Sequence, residues 1–275
     1  MAKQIFKSIG KAINFTSILS PKLAAHLSIK LFSTPQKGAI QNRDSKFLKN
    51  TIQEDAFYEN IKIKTYRWPG NKDTVLLAHG WESNANRWKD LIEILKLQDY
   101  NIIALDAPAH GNSGNKTFNA LIYSECIYTV VKKFNVSVII GHSVGGMASV
   151  FGEFKHKPTS VKKLILLGAP ADFDGVFTRY SQMMGYNQKV INAMNDYVLK
   201  HYNHLPEYYS AANFSKSIKA KGLIIHDKKD RIIPFSDGLN FKSNYSNSEF
   251  IATKGFGHGL KSEAIYNYIL EFLEV

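Results

Sequence analysis

The sequence contains a single cysteine, Cys126, so the chain cannot form an internal disulfide. No cysteines and histidines have the spacing of a metal site, and no apolar run is long enough to cross a bilayer as a helix. Cys126 lies in an apolar stretch that we interpret as a buried helix, where it packs rather than reacts. These absences exclude a disulfide scaffold and predict a globular, cytoplasmic protein that needs neither a metal nor another cofactor.

Acidic residues are scarce at the start of the chain. Residues 1–50 contain nine lysines and arginines but one acid, Asp44, whereas the formal net charge of the whole chain is +12. The rest of the chain is nearly balanced, so the positive charge belongs to an arm and not to a basic domain. Because no nucleic-acid-binding motif occurs either, we expect no nucleic-acid partner.

The arm has the pattern of two amphipathic helices within residues 1–33. Pro21 marks the start of the second helix. The apolar residues form two stripes at helical spacing, the first made of Ile5, Phe6, Ile9 and Ile13 and the second of Leu19, Leu23, Leu27 and Leu31. One interpretation packs these helices on the rest of the protein, and the continuation of the apolar stripe past the lysines favours it. The other places the first helix on an anionic membrane surface, which would make the protein membrane-peripheral. Interrupting lysines disfavour a signal peptide.

Beyond the arm, apolar strands alternate with helical patterns, after a polar segment at 39–60 that we interpret as a linker with a short helix. Strands are predicted at 61–68, 74–78, 102–105, 136–140, 163–167, 222–226 and 249–252. Helices are predicted at 87–96, 118–134, 144–154, 235–241 and 263–273. Continuous Val/Ile/Leu strands in βα units indicate an α/β fold with a mostly parallel, doubly wound sheet. The predicted domains are the arm and linker at 1–55 and the α/β domain at 56–275.

One interval, about 171–215, has no strand and is predicted to be a helical cap inserted in the α/β domain. It is rich in tyrosine, phenylalanine and methionine. We assign Met183 and Tyr186, together with Trp81 outside the interval, to substrate binding in an apolar pocket. The alternative is that the aromatic residues and methionines of the interval form its own small core.

The sequence Gly141-His142-Ser143-Val144-Gly145 stands between an apolar strand and a helix start. This context gives the pattern G-x-S-x-G its meaning as a sharp turn that exposes a nucleophilic serine. The turn is crowded, and Gly141 and Gly145 have no Cβ that would clash. Ser143 is therefore the predicted nucleophile.

A serine nucleophile needs a base and an acid that orients the base. His258 follows the last predicted strand in a glycine-flanked loop and is the candidate base. Asp230, in a D-x-x-x-P turn after the preceding strand, is the candidate acid; its rival is Asp227, which we interpret as a turn residue. The predicted oxyanion donors are the backbone N–H groups of Val144 and Trp81, because Trp81 follows another strand in the sequence His79-Gly80-Trp81.

Together these motifs resemble the α/β-hydrolase superfamily, of the serine hydrolase and esterase type with a helical cap. The resemblance covers about residues 61–275 and includes the order Ser143, Asp230, His258. It implies that the loop from Asp106 to Ser113 is structural, so that Asp106 and His110 are not catalytic. Haloalkane dehalogenases and many epoxide hydrolases carry aspartate where this chain has Ser143, which disfavours both of those chemistries.

The residues predict a hydrolase that cleaves carboxylic esters through an acyl-enzyme, with small or medium apolar acyl groups and a small-molecule ester as its partner. The same catalytic residues would also serve a thioesterase, a carbon–carbon bond hydrolase or a peptidase. An alternative of another class is a lipid-binding or signalling protein that keeps the fold without turnover.

Overall fold

A computed structural model describes residues 2–38 and 42–274, without the side chains of residues 2–3 and 42–45. Met1, Val275 and residues 39–41 of the predicted linker lie outside the described residues. The chain divides into two compact units. One contains residues 1–34 and 172–210, and the other contains residues 35–171 and 211–275.

The second unit is built on an eight-stranded sheet in the order β1-β2-β4-β3-β5-β6-β7-β8. The strands are β1 (Ile52–Tyr58), β2 (Ile61–Trp68), β3 (Lys72–Ala78), β4 (Tyr100–Leu105), β5 (Val138–His142), β6 (Lys163–Leu167), β7 (Lys221–Asp227) and β8 (Ser248–Thr253). β2 is antiparallel to both β1 and β4, and all neighbouring pairs from β4 through β3, β5, β6 and β7 to β8 are parallel. The predicted α/β fold with a mostly parallel sheet is confirmed.

Helices alternate with these strands because each βα unit must bury an apolar strand on both faces. The helices of this unit are α3 (Asn42–Lys49), α4 (Lys89–Leu97), α5 (Ala120–Phe134), α6 (Val144–His156), α9 (Ala211–Ser215), α10 (Phe235–Asn244) and α11 (Glu263–Glu274). The core joins fully buried strand residues such as Leu77, Ile102 and Ile140 to Leu91 of α4 and Ile269 of α11.

The parallel register places the carboxyl ends of several strands side by side. Ala78 at the end of β3 lies opposite Gly141 of β5, and Asp227 at the end of β7 lies opposite Thr253 of β8. In open parallel sheets, ligands bind beyond this edge. The loops that carry the predicted catalytic residues therefore start from one edge of the sheet.

The structure differs from the prediction of a linker over 39–60, because residues 52–58 of that segment form strand β1. β1 is an edge strand whose pattern is Ile-Gln-Glu-Asp-Ala-Phe-Tyr, and only Ala56 in it is buried. β1 pairs with β2, and the other buried apolar side chains of this strand pair come from β2. An edge strand with one buried side chain carries little apolar signal, which is why the sequence pattern failed there.

The first unit is helical and contains α1 (Ala2–Leu19), α2 (Pro21–Ser33), α7 (Phe173–Met184) and α8 (Gln188–Tyr202). The ring of Phe32 at the end of α2 packs on three aromatic rings of α7, with centroid separations of 4.8 to 6.1 Å. The two segments thus share an aromatic core. No helix among residues 2–38 and 42–274 is long and apolar enough to cross a membrane.

Glu153 on α6 is the basis of a stability prediction. Its side chain lies beside the apolar residues Ile127, Val131 and Ile139, and burial raises the pKa of its carboxyl to about 8. The folded protein therefore holds a proton that the unfolded chain loses above a pH of about 4.5, so stability falls as the pH rises from there to about 8.

Replacing Glu153 with glutamine removes this pH dependence. We expect the variant to be about 3 kcal/mol more stable than wild type near pH 8, with a much smaller difference near pH 4.5. Urea unfolding across this pH range measures the effect. The exposed Glu271 on α11, changed to glutamine, is the matched control. Equal pH profiles for wild type and Glu153→Gln would show that the buried carboxyl does not set the dependence.

Candidate active site

Ser143 stands in a strained turn between β5 and α6, with φ 53° and ψ −129°. The turn is possible because its glycines have no side chains. A Cβ on Gly141 would lie 2.5 Å from the Cα of Gly146, and a Cβ on Gly145 would lie 2.3 Å from the carbonyl oxygen of Ala78. The crowding predicted at Gly141 is present, whereas Gly145 makes room for the end of β3.

Hydrogen bonds join the three predicted catalytic side chains in one row. His258 Nε2 lies 3.0 Å from Ser143 Oγ, and His258 Nδ1 lies 2.7 Å from Asp230 Oδ2. A carboxylate only accepts, so Nδ1 carries the proton and Nε2 is left to accept the hydroxyl proton of Ser143. This is the geometry that a general base requires.

Asp230 is held in the orientation that serves His258. Its Oδ1 accepts the N–H groups of Ile232 and Ile233 at 2.8 and 3.0 Å, which leaves Oδ2 for the imidazole. Burial acts to raise the pKa of this carboxyl, but the hydrogen bonds from His258 and from the two N–H groups outweigh burial and lower the pKa below its usual value. Asp230 is therefore ionised at neutral pH.

The rival acid, Asp227, has another position and another set of partners. It is fully buried at the end of β7 and accepts hydrogen bonds from Thr253 Oγ1 and from the N–H groups of Phe256 and Lys229, at 2.8 to 3.0 Å. Burial acts against ionisation, but these bonds lower the pKa of Asp227 to about 2. Its contacts tie the turn that carries Asp230 to the loop that leads into His258.

The loop after β3 lies against the nucleophile. A Cβ on Gly80 would lie 2.9 Å from Ser143 Cβ, so the loop can approach only because Gly80 has no side chain. Trp81 follows Gly80. Val144 is the first residue of α6, where backbone N–H groups have no partner within the helix. Gly80, the residue before Trp81, thus lies against Ser143, and Val144 follows Ser143 directly. The assignment of the N–H groups of Trp81 and Val144 as oxyanion donors stays a prediction.

Two histidines shape this loop without touching Ser143 Oγ. His79 Nδ1 donates to the Gly80 carbonyl at 2.7 Å, and its Nε2 accepts the N–H of Ala107 at 2.9 Å. Burial lowers the pKa of His79 to about 3, so it stays neutral. His110 Nε2 accepts the N–H of Glu82 at 3.0 Å.

Asp106 serves the same region through backbone contacts. It accepts hydrogen bonds from the Tyr66 hydroxyl and from the N–H groups of Ala85 and Asn112 at 2.8 to 2.9 Å. Burial raises the pKa of this carboxyl even though the hydrogen bonds act against burial. None of these partners is Ser143, His258 or Asp230, so Asp106 holds loops in place.

Sequence reasoning gave no role to two side chains that hold the His258 loop. His142 Nε2 donates to the His258 carbonyl at 2.8 Å, and Arg87 Nη2 donates to the Gly259 carbonyl at 2.9 Å. Burial lowers the pKa of His142 well below its usual value, so the ring is neutral. The position of His142 next to Ser143 is a signal that could have been followed, whereas Arg87 lies far from His258 in sequence.

The remaining candidates are Met183, Tyr186 and Cys126. Met183 is exposed near the end of α7, and Tyr186 is buried with its ring centroid 5.9 Å from that of Tyr180. Both belong to the first unit, and their assignment to substrate binding stays a prediction. Cys126 is buried on α5, and burial raises the pKa of its thiol to about 12, which fits packing.

Neither a metal cluster among the described residues nor the open cavity of the second unit marks this site. Within residues 2–38 and 42–274, no group of three or more histidine, cysteine, aspartate or glutamate side chains could hold a metal ion. An open cavity of about 700 Å³ lies at the amino-terminal ends of β3, β4 and β5, where it is lined by Lys72, Tyr100 and Ser137. Ser143, Asp230 and His258 follow the opposite ends of the strands.

Comparisons with known proteins agree with this geometry. The family model described as α/β hydrolase fold matches residues 73–197. A curated 2-hydroxy-6-oxononadienedioate/2-hydroxy-6-oxononatrienedioate hydrolase of Escherichia coli is 26% identical over 257 residues, which cover 73% of this chain and 87% of the relative.

Two solved structures share the fold at lower identity. An esterase from Exiguobacterium antarcticum has a TM-score of 0.65 and 18% identity, covering 82% of this chain and 100% of its own. An esterase from Pyrococcus furiosus has a TM-score of 0.67 and 19% identity, covering 88% of this chain and 97% of its own.

Proposed function

We propose, from its membership of the α/β-hydrolase superfamily and from the row of Ser143, His258 and Asp230, that this protein is a serine hydrolase that cleaves carboxylic esters. The observation that carries the proposal is the position of His258, which reaches Ser143 Oγ with one ring nitrogen and Asp230 Oδ2 with the other. A histidine placed in this way can take the serine proton and return it to the leaving group.

In the first half of the reaction, Ser143 Oγ attacks the ester carbonyl carbon while its proton moves to His258 Nε2. The negative charge that develops on the carbonyl oxygen is stabilised by the backbone N–H groups of Trp81 and Val144. When the tetrahedral intermediate collapses, the C–O bond to the alcohol breaks and His258 gives its proton to the alkoxide. The product is an acyl-enzyme on Ser143.

In the second half, His258 takes a proton from a water molecule, and the resulting hydroxide attacks the acyl carbon. Collapse of this intermediate releases the carboxylic acid and returns the proton to Ser143 Oγ. Asp230 keeps the proton of the neutral imidazole on Nδ1 and stabilises the imidazolium that forms in each half. The low pKa of Asp230 supports this role, because the carboxyl keeps its charge at neutral pH.

The substrate is proposed to carry a small or medium apolar acyl group. Support comes from the exposed indole of Trp81, which packs edge-on against Phe118 beside the loop at Ser143.

Hydrolysis of p-nitrophenyl esters of increasing acyl length tests this proposal. We expect kcat/KM to pass through a maximum at a small or medium acyl length and to fall for longer chains as the apolar pocket is filled. The nonspecific contribution is measured with the protein after Ser143 has been blocked by a phosphonylating inhibitor. A kcat/KM that rises monotonically with chain length would contradict the proposed acyl preference, and the absence of turnover at every length would contradict ester cleavage.

A carbon–carbon bond hydrolase is the second candidate, and the observation behind it is the similarity to the Escherichia coli relative named as a 2-hydroxy-6-oxononadienedioate/2-hydroxy-6-oxononatrienedioate hydrolase. Thioesters and peptides are further substrates that the same residues could cleave. The ester series is therefore run beside a 2-hydroxy-6-oxodienoate, an acyl thioester and a peptide amide, and the largest kcat/KM decides between them. Stoichiometric binding without turnover of any of the four would indicate a binding protein.

A further inference from the structure

The packed face of α1 combines one large apolar residue with small and polar residues. Gly10, Ile13 and Ser17 are buried, and a Cβ on Gly10 would lie 1.8 Å from the carbonyl oxygen of Met184. Asn14 fixes this orientation, because its amide donates to the Gly185 carbonyl at 2.8 Å and its side-chain oxygen accepts the N–H of Asn187 at 2.9 Å. α1 therefore presents one determined face to the turn between α7 and α8.

Large apolar side chains occupy the other side of α1 and the start of α2. Phe15, Ile18 and Leu19 are 66%, 65% and 80% exposed, and Leu23 beyond the Ser20-Pro21 turn is 50% exposed. The four lie within nine residues around the corner between the two helices. Four such side chains exposed together at one corner are a feature of contact surfaces rather than of an ordinary solvated helix pair.

The charge of the same segment has one sign. Residues 1–34 contain five lysines and no aspartate or glutamate, and Lys11 and Lys22 flank the apolar corner with exposed side chains. We define the corner face as Phe15, Ile18, Leu19 and Leu23 with Lys11 and Lys22. A partner surface that is complementary to the corner face has negative charge on its outside and hydrocarbon beneath that charge.

We propose that the corner face docks on an anionic lipid surface. Its apolar side chains would enter the region between headgroups and acyl chains, while the lysines lie against phosphate and carboxylate groups. The positive charge of the corner face favours an anionic lipid surface over a second copy of this chain, because two copies joined through this face would bring their lysines together. The inference concerns where the protein acts and is independent of the reaction at Ser143.

Co-sedimentation of the full chain with vesicles tests the proposal. We expect binding to vesicles of phosphatidylcholine mixed with phosphatidylglycerol, little binding to phosphatidylcholine alone, and weaker binding as salt rises. The triple variant Phe15→Ser, Ile18→Ser, Leu19→Ser should bind at least about tenfold more weakly. The double variant Lys11→Gln, Lys22→Gln should bind roughly 30-fold more weakly, since each lysine near the surface contributes about a fivefold effect.

Matched controls come from α8 of the same unit. Leu199→Ser changes an apolar residue that is 45% exposed, and the double variant Lys189→Gln, Lys200→Gln removes two exposed lysines; both should bind as wild type does. Thermal unfolding of every variant verifies that it is folded. Equal losses in the control and corner variants would overturn the proposal. So would failure of wild type to bind the anionic vesicles, or a self-association in solution that the triple variant abolishes without any vesicle binding.

Discussion

Replacing Ser143 with alanine is expected to lower kcat for ester hydrolysis by about 10⁶-fold. The hydroxyl is the atom that forms the acyl-enzyme, and the alanine variant leaves His258 with no proton to take from a nucleophile. The oxyanion donors remain, so a small residual rate over the uncatalysed reaction should persist. The measurement is kcat with the best ester of the series, together with the mass of the protein after reaction with a fluorophosphonate, which should increase only for wild type.

Ser149 provides the matched control for this variant. It is a buried serine on α6, and its hydroxyl donates to the Gly145 carbonyl at 2.7 Å. Ser149→Ala removes a hydroxyl of the same kind from the same helix, so we expect it to keep kcat and to lose about 1 kcal/mol of stability. Turnover by Ser143→Ala at the wild-type rate would refute the proposed mechanism, whatever the substrate.

The chemistry of this site could be predicted because short local sequence patterns identify its residues. An apolar strand, a glycine, the nucleophile and a helix follow one another within a few residues at Ser143, and the structure shows each of these elements there. His258 and Asp230 likewise stand in loops directly after strands β8 and β7. Parallel strands bring such loops to one edge, so residues distant in sequence meet there.

What could not be predicted depends on contacts between distant segments. Gly10 and Ser17 form the packed face of α1 together with Ile13, whereas Ile5 of the predicted apolar stripe is exposed. Gly10 is buried because α1 closely approaches the backbone at Met184. Such an approach produces no periodic pattern of hydrophobicity in the sequence. Phe15 and Leu19, by contrast, are exposed.

The contacts that hold the loops around the triad could not be predicted from the sequence, for a similar reason. Arg87 donates a hydrogen bond to the Gly259 carbonyl. Asp227 accepts hydrogen bonds from the strand and the loop that precede His258. Each contact joins two loops that meet only in the folded sheet. A turn residue and a supporting residue look the same in sequence, because both are a carboxylate after a strand.

Substitutions of the two carboxylates at the end of β7 and in the turn that follows it should separate effects on catalysis from effects on stability. Asp230→Asn is expected to lower kcat by about 10⁴-fold, because an amide that donates to His258 favours the wrong tautomer and no longer stabilises the imidazolium. Its effect on the unfolding free energy should be small by comparison, since the amide oxygen can still accept the N–H groups of Ile232 and Ile233.

Asp227→Asn should show the opposite pattern. The pKa of Asp227 is lowered to about 2, so its charge contributes stability that is present above its unfolded pKa of about 4 and is lost as the pH falls through about 2. We expect the variant to lose about 2 kcal/mol at neutral pH and to lose far less kcat than Asp230→Asn, because Asp227 does not touch His258. Measuring kcat and urea unfolding on both variants decides the assignment. If Asp227→Asn abolished turnover while Asp230→Asn remained active, the acid of the triad would be Asp227, and the bond from His258 to Asp230 would have no catalytic role.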